Sequence, residues 1–223
     1  MTPLDLSGPV GRLEALLEEP ADSRGVGPAG LVEAGRSDRL RAAVVFAHPH
    51  PQMGGTMHTK VVYHASKALA RIGCAVLRFN FRGAGKSAGA FDNGVGEQDD
   101  FRAALAFMRE RYPDASLWAG GMSFGSYVGL TAAAADPAVS VLIGIALPLS
   151  RYDFSVVRDS TKAKFFIQAE RDEICSVKEM RQFYAHTAEP KELVVVDGAD
   201  HLFDGKVTDV ADAIEDLLGD WHG

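Results

Sequence analysis

Residues 116–135 read SLWAGGMSFGSYVGLTAAAA. The opening part, through Gly121, is a short apolar run of the kind that forms a buried strand, and residues 124–135 have helical composition. Between them lies Gly121-Met122-Ser123-Phe124-Gly125, a serine with glycine two places before it and two after. A serine that joins a strand to a helix through so tight a turn holds strained backbone angles, and larger side chains at the flanking positions would collide across the turn. The first free N–H groups of the new helix also favour negative charge at this spot. A helix N-cap would account for the serine but not for both glycines. Ser123 is therefore the candidate nucleophile.

The same alternation of strand and helix extends in both directions. Downstream, VSVLIGIA (139–146), AKFFIQAE (163–170) and KELVVVDGA (191–199) are apolar runs, with helices expected over Val177–His186 and in VTDVADAIEDLLGDW (207–221). Upstream, RAAVVFAH (41–48) and CAVLRFNF (74–81) read as strands. A helix is expected over Met57–Arg71 from the spacing of Val61, Ala65, Ala68 and Leu69, with Gly73 just beyond its end. A glycine-rich loop then runs to residue 96, followed by a helical stripe through Phe101, Leu105 and Met108 that Pro113 stops. The first 40 residues carry a weaker signal. GRLEALLEEP (11–20) fits a strand or a short helix, residues 20–30 look like a loop, and LVEAG (31–35) like a second strand.

Apolar strands separated by helices predict an α/β chain: a mostly parallel central sheet with helices on both faces, in one domain over residues 1–223. At 223 residues, such a domain buries about 70% of its unfolded surface. Chemistry in such sheets gathers at the carboxyl ends of the strands.

A serine hydroxyl needs a general base, and the base needs an orienting carboxylate. Downstream of Ser123 the histidines are His186, near the end of a predicted helix, His222, next to last in the chain, and His201. Only His201 falls in a loop at the carboxyl end of a strand. At the end of the preceding strand stand Glu170, Asp172 and Glu173, of which Asp172, three residues past Ala169, is the choice. Asp197 and Asp200 adjoin His201 in sequence and are poorly placed to aim at it. For an oxyanion hole, one donor is expected from the backbone N–H of Phe124. The other is expected from the loop after residue 48, where Pro49 and Pro51 have no N–H and His50 is the nearest donor.

Five stretches in this order, AHPHPQMGGTM, LRFNFRGAGKSAGAFD, GGMSFGSYVG, ERDEI and GADHLFDGK, together resemble the small bacterial α/β hydrolases related to dienelactone hydrolase. The resemblance covers roughly residues 40 to 220. It implies the α/β-hydrolase fold, with Ser123 as nucleophile, Asp172 as acid and His201 as base. It departs from dienelactone hydrolase itself, whose nucleophile is cysteine, and points to general ester hydrolysis. Residues 147–162, between two strands, are too few for a multi-helix cap, so an open, lidless site for small or short-acyl esters is expected. A thioesterase or small peptidase would use the same three residues, and a non-catalytic binding protein of this fold is the rival from another class.

Several other readings fail on the residues. RGAGKS lacks the P-loop glycine, since Asn80 stands five places before Gly85. The looser pattern of Gly83, Gly85 and Ala88 is followed by loop residues where a dinucleotide-binding helix should run. His48, His50, His58 and His64 have no nearby acid or cysteine to complete a metal set, so neither metal nor cofactor is expected. A net charge of −7 without a basic run disfavours nucleic acid. Two cysteines give no disulfide framework. With no span of about 18 apolar residues and no leader pattern, a cytoplasmic protein that does not bind membranes is expected, its partner a small-molecule ester. Whether it forms a homo-oligomer is left open by the sequence.

Overall fold

The computed structural model describes residues 1–20 and 40–221. The loop and second strand expected within 21–39 lie outside the described residues.

Among the described residues, eight strands form one sheet in the order β1-β2-β4-β3-β5-β6-β7-β8. They are β1 (Thr2–Gly8), β2 (Gly11–Glu18), β3 (Ala42–Ala47), β4 (Cys74–Phe79), β5 (Ser116–Met122), β6 (Val139–Ile145), β7 (Ala163–Ala169) and β8 (Lys191–Val196). Strands β3 to β8 run parallel; β2 is antiparallel to both β1 and β4. The ambiguous GRLEALLEEP segment is thus a strand. Its alternation puts Leu13, Ala15 and Leu17 on the core face, the period of two that marks a one-sided strand.

The helices are α1 (Lys60–Arg71), α2 (Gly96–Arg111), α3 (Phe124–Ala134), a single turn α4 (Ser155–Arg158), α5 (Val177–His186) and α6 (Val207–Gly219). Every residue of β3, β4 and β7 is buried, because both faces of the sheet are covered. On one face Leu117 and Ala119 of β5 pack with Phe101, Leu105 and Val128 of α2 and α3. On the other, Trp118 lies with Val61, Leu69 and Ile214 of α1 and α6. Successive side chains of one strand therefore feed two separate cores.

Helix α1 begins at Lys60, three residues later than expected. Met57 is held in the preceding turn instead: its N–H donates to Asn80 Oδ1 at 2.8 Å and its carbonyl accepts from Arg78 Nη1 at 2.6 Å. Helix α5 starts on a capping box, with Ser176 Oγ accepting from the Glu179 amide and the Glu179 carboxylate accepting from Ser176 N–H. The connection from β6 to β7 holds only α4, so no cap covers the sheet's carboxyl edge there. No helix among the described residues is long and apolar enough to cross a membrane.

Candidate active site

Ser123 sits between β5 and α3 with φ 52° and ψ −122° and makes no capping hydrogen bond. A side chain with a Cβ rarely adopts such a backbone. The surroundings over-determine it: Ser123 N–H donates to Ile145 O at 2.8 Å, and Ser126 Oγ donates to Ser123 O at 2.6 Å. The flanking glycines are dictated by space. A Cβ on Gly121 would lie 2.7 Å from Ser126 N, and one on Gly125 would lie 2.7 Å from Ala47 O and closer still to His48 O. These contacts are with backbone, which has nowhere to retreat, so the elbow is wedged against the end of β3.

His201 lies in the loop after β8, and its Nε2 is 3.0 Å from Ser123 Oγ. Its Nδ1 is 2.9 and 3.0 Å from the two oxygens of Asp172, in the turn after β7. A carboxylate can only accept, so Nδ1 carries the proton and Nε2 is left to accept from the serine hydroxyl. Burial pushes the Asp172 carboxyl up, but the bond from His201 and the N–H groups of Cys175 and Ile174 outweigh it. The net effect holds Asp172 below the usual carboxylate range.

The other carboxylates considered from the sequence have different work. Glu170 accepts from Gly198 N–H at 2.8 Å and Glu173 from His201 N–H at 3.3 Å. Both brace the loop that presents His201. Asp200 accepts from the amides of Leu202 and Asp204. Gln168 of β7 was missed by the sequence reading. Its Nε2 donates to Asp172 Oδ2 at 3.0 Å and to Cys175 O at 2.9 Å. A lone glutamine within the apolar run FFIQA, four residues before the acid, is the signal that could have found it.

Opposite the elbow, His48 is buried and joins two loops. Its Nε2 accepts from Phe81 N–H at 3.1 Å and its Nδ1 meets Pro49 O at 2.6 Å. The first bond fixes the tautomer, so Nδ1–H donates to the carbonyl. Burial drives the His48 pKa down to about 4, which keeps the ring neutral. The next residue, His50, has its carbonyl tied to the amides of Met53 and Gly55, both at 3.0 Å. Among the described residues the amides of His50 and Phe124 donate to no protein acceptor, so both remain available. The His50 ring rests between Phe91 and Phe124, with centroid distances of 4.8 and 4.9 Å.

The glycine-rich loop is pinned from α2. Asp100 accepts from Arg82 N, Nε and Nη2 at 2.8–3.0 Å, and the buried Glu97 accepts from the amides of Asp92 and Gly94 at 2.7 and 2.8 Å. In the RGAGKS stretch the Lys86 backbone N–H donates to Glu14, and the Ser87 hydroxyl is taken by the fold, its Oγ accepting from Glu14 N–H and donating to Asn80 O.

Residues 38–162 match the profile of a family described as serine aminopeptidase, S33. An uncharacterized protein from Rickettsia prowazekii (strain Madrid E) is 35% identical over 205 residues, covering 86% of each chain. Among solved structures, an α/β serine hydrolase homologue from Coxiella burnetii superposes with a TM-score of 0.85 at 32% identity, covering 97% of each chain. An α/β serine hydrolase without a lid from Xanthomonas campestris gives a TM-score of 0.83 at 37% identity, over 96% of this chain and 92% of that one. The α/β-hydrolase architecture expected from the sequence is thus shared with both solved structures, of which the Xanthomonas one is described as lidless.

Proposed function

The chain belongs to the serine aminopeptidase S33 family of α/β hydrolases, and from that premise we propose that it cleaves small or short-acyl carboxylic esters through an acyl-enzyme on Ser123. One observation carries the reading: a continuous hydrogen-bonded line from Asp172 through His201 to Ser123 Oγ, with the imidazole in the tautomer a base requires.

In the proposed reaction His201 Nε2 takes the hydroxyl proton as Ser123 Oγ attacks the ester carbonyl. Asp172 stabilises the imidazolium that forms. The carbonyl oxygen becomes an oxyanion between the amides of Phe124 and His50, each such donor contributing about 10²- to 10³-fold in rate. Collapse breaks the bond to the alcohol oxygen, which leaves with the proton from His201. Water, deprotonated by the same imidazole, then releases the acid and restores Ser123. No step calls on a cofactor.

The family description favours a second reading, an aminopeptidase with the same machinery. Such an enzyme holds the substrate's free ammonium group with a carboxylate. Glu97, whose charge acts on His50, is fully buried beneath the loop whose amides it accepts from, out of reach of a substrate ammonium group. This favours the ester reading.

A fluorophosphonate probe should label the wild-type protein and not Ser123→Ala, and the wild type should cleave p-nitrophenyl acetate faster than the decanoate. A clear preference for decanoate would overturn the short-acyl part. Labelling that survives in Ser123→Ala would overturn the nucleophile.

A further inference from the structure

Half-buried aromatic rings gather at the start of α3, just after Ser123, from four separate parts of the chain. His50 comes from the loop after β3, Phe91 from the loop after β4, Tyr127 from the first turns of α3, and Tyr152 from the β6–β7 connection. Three of them, His50, Phe91 and Tyr152, surround the ring of Phe124, the residue next to the candidate nucleophile. Phe124 is 4.9 Å from His50, 5.6 Å from Phe91 and 6.1 Å from Tyr152, while Tyr127 stacks on Tyr152 at 4.2 Å with planes 15° apart. Core aromatics such as Phe79, Phe81 and Phe101 are fully enclosed. By contrast, His50, Phe91, Tyr127 and Tyr152 each keep part of their surface open at the carboxyl rim of the sheet.

These positions are also held firmly. Residues flanking Phe91 are fixed by Glu97 through the amides of Asp92 and Gly94. His50 is fixed by the turn that its carbonyl closes and, through Pro49, by His48. Gly94 presses the loop against Tyr127 and Phe124, where a Cβ would come within 3.0 and 3.3 Å of the rings. Rigid ring surfaces suit a flat partner better than a flexible chain, because ring pairs gain from stacked and edge-on electrostatics beyond the area they bury.

We infer that this wall receives a planar aromatic group attached next to the scissile bond, so that the preferred substrates are small aryl-bearing esters. The inference rests on the ester-hydrolase reading and names its substrate class. The aromatic group is on either the acyl or the alcohol side, and the test separates the two.

Two matched pairs differ only in aromaticity. Methyl phenylacetate against methyl cyclohexylacetate probes the acyl side, and benzyl acetate against cyclohexylmethyl acetate probes the alcohol side. On one side the wild type should favour the aromatic member by about three- to tenfold in kcat/KM. Phe91→Leu should bring that ratio close to one, and because the ratio compares two substrates on the same variant, any general change in its activity cancels. Because the wild-type ratios need no variant, a folding defect in Phe91→Leu would not spoil the test. Equal rates within both pairs, with p-nitrophenyl acetate still cleaved through Ser123, would overturn the aryl preference alone. A preference that persists undiminished in well-folded Phe91→Leu would overturn the wall. If no ester is cleaved through Ser123, the underlying reading falls and this inference falls with it.

Discussion

Replacing Asp172 by asparagine changes one heavy atom and tests how completely the site depends on a charge. The carboxylate is ringed by donors: Oδ1 accepts from the amides of Ile174 and Cys175, both at 2.9 Å, and Oδ2 from Gln168 Nε2 at 3.0 Å, with His201 Nδ1 within 3.0 Å of each oxygen. An amide NH₂ in place of Oδ1 would face two backbone N–H groups that cannot turn away. In place of Oδ2 it would face Gln168, which can rotate its unpartnered Oε1 inward. Asparagine should therefore seat its NH₂ toward Gln168 and, with it, toward His201 Nδ1. The imidazole is then driven to the tautomer with the proton on Nε2, where it cannot accept from Ser123, and the imidazolium loses its counter-charge. A comparable loss in another triad lowers kcat by about 10⁴, so a fall of 10³- to 10⁴-fold is expected here. That corresponds to about 4–5 kcal/mol of barrier. The mispaired donors should also cost about 1–3 kcal/mol of stability. Steady-state hydrolysis of p-nitrophenyl acetate, together with urea unfolding, measures both. An asparagine variant that keeps more than a tenth of wild-type kcat would refute the reasoning.

Other expectations follow from the same contacts. Gly125→Ala would push a methyl group into the carbonyls of Ala47 and His48; since backbone cannot yield there, kcat should fall at least a hundredfold, and a variant of wild-type activity would contradict the wedged elbow. Asp100→Asn breaks a buried pair with Arg82 and should cost about 3–5 kcal/mol in urea unfolding, whereas a cost under 1 kcal/mol would show the loop is held otherwise. His48 predicts a pH effect. Its folded pKa of about 4 lies below the 6.5 of the unfolded chain, so its contribution is complete above pH 6.5 and is lost as pH falls from 6.5 to about 4. The loss amounts to about 3 kcal/mol. His48→Leu, though weaker at neutral pH, should show a pH dependence shallower by that amount, and parallel curves would contradict it.

How much of this was legible in the sequence varied with the physics of each part. The parallel strands could be read because, covered on both faces, they are continuous apolar runs; RAAVVFAH and AKFFIQAE leave little else to propose. β1 could not, because it is an edge strand with only Leu6 fully in the core, and one buried side chain makes no visible period. The meeting of Ser123, Asp172 and His201 was anticipated from their places at strand ends, and their catalytic roles remain the proposal made above. The supporting polar network was invisible. A carboxylate such as Glu97 or Asp100 reads in sequence as a solvated charge, and only the folded loop delivers the amides and the guanidinium that make burial tolerable. Asp172 stands apart from Glu170 and Glu173 in the sequence by its distance past Ala169 alone; the N–H groups of Ile174 and Cys175 that converge on it are not visible there.

The most direct measurement is mass spectrometry of the protein quenched in acid during turnover of a slow ester. The account predicts one acyl group, carried on the tryptic peptide from Tyr112 to Arg151 that contains Ser123, and its absence in Ser123→Ala. Turnover with the acyl group on another peptide, or turnover undiminished in Ser123→Ala, would contradict it.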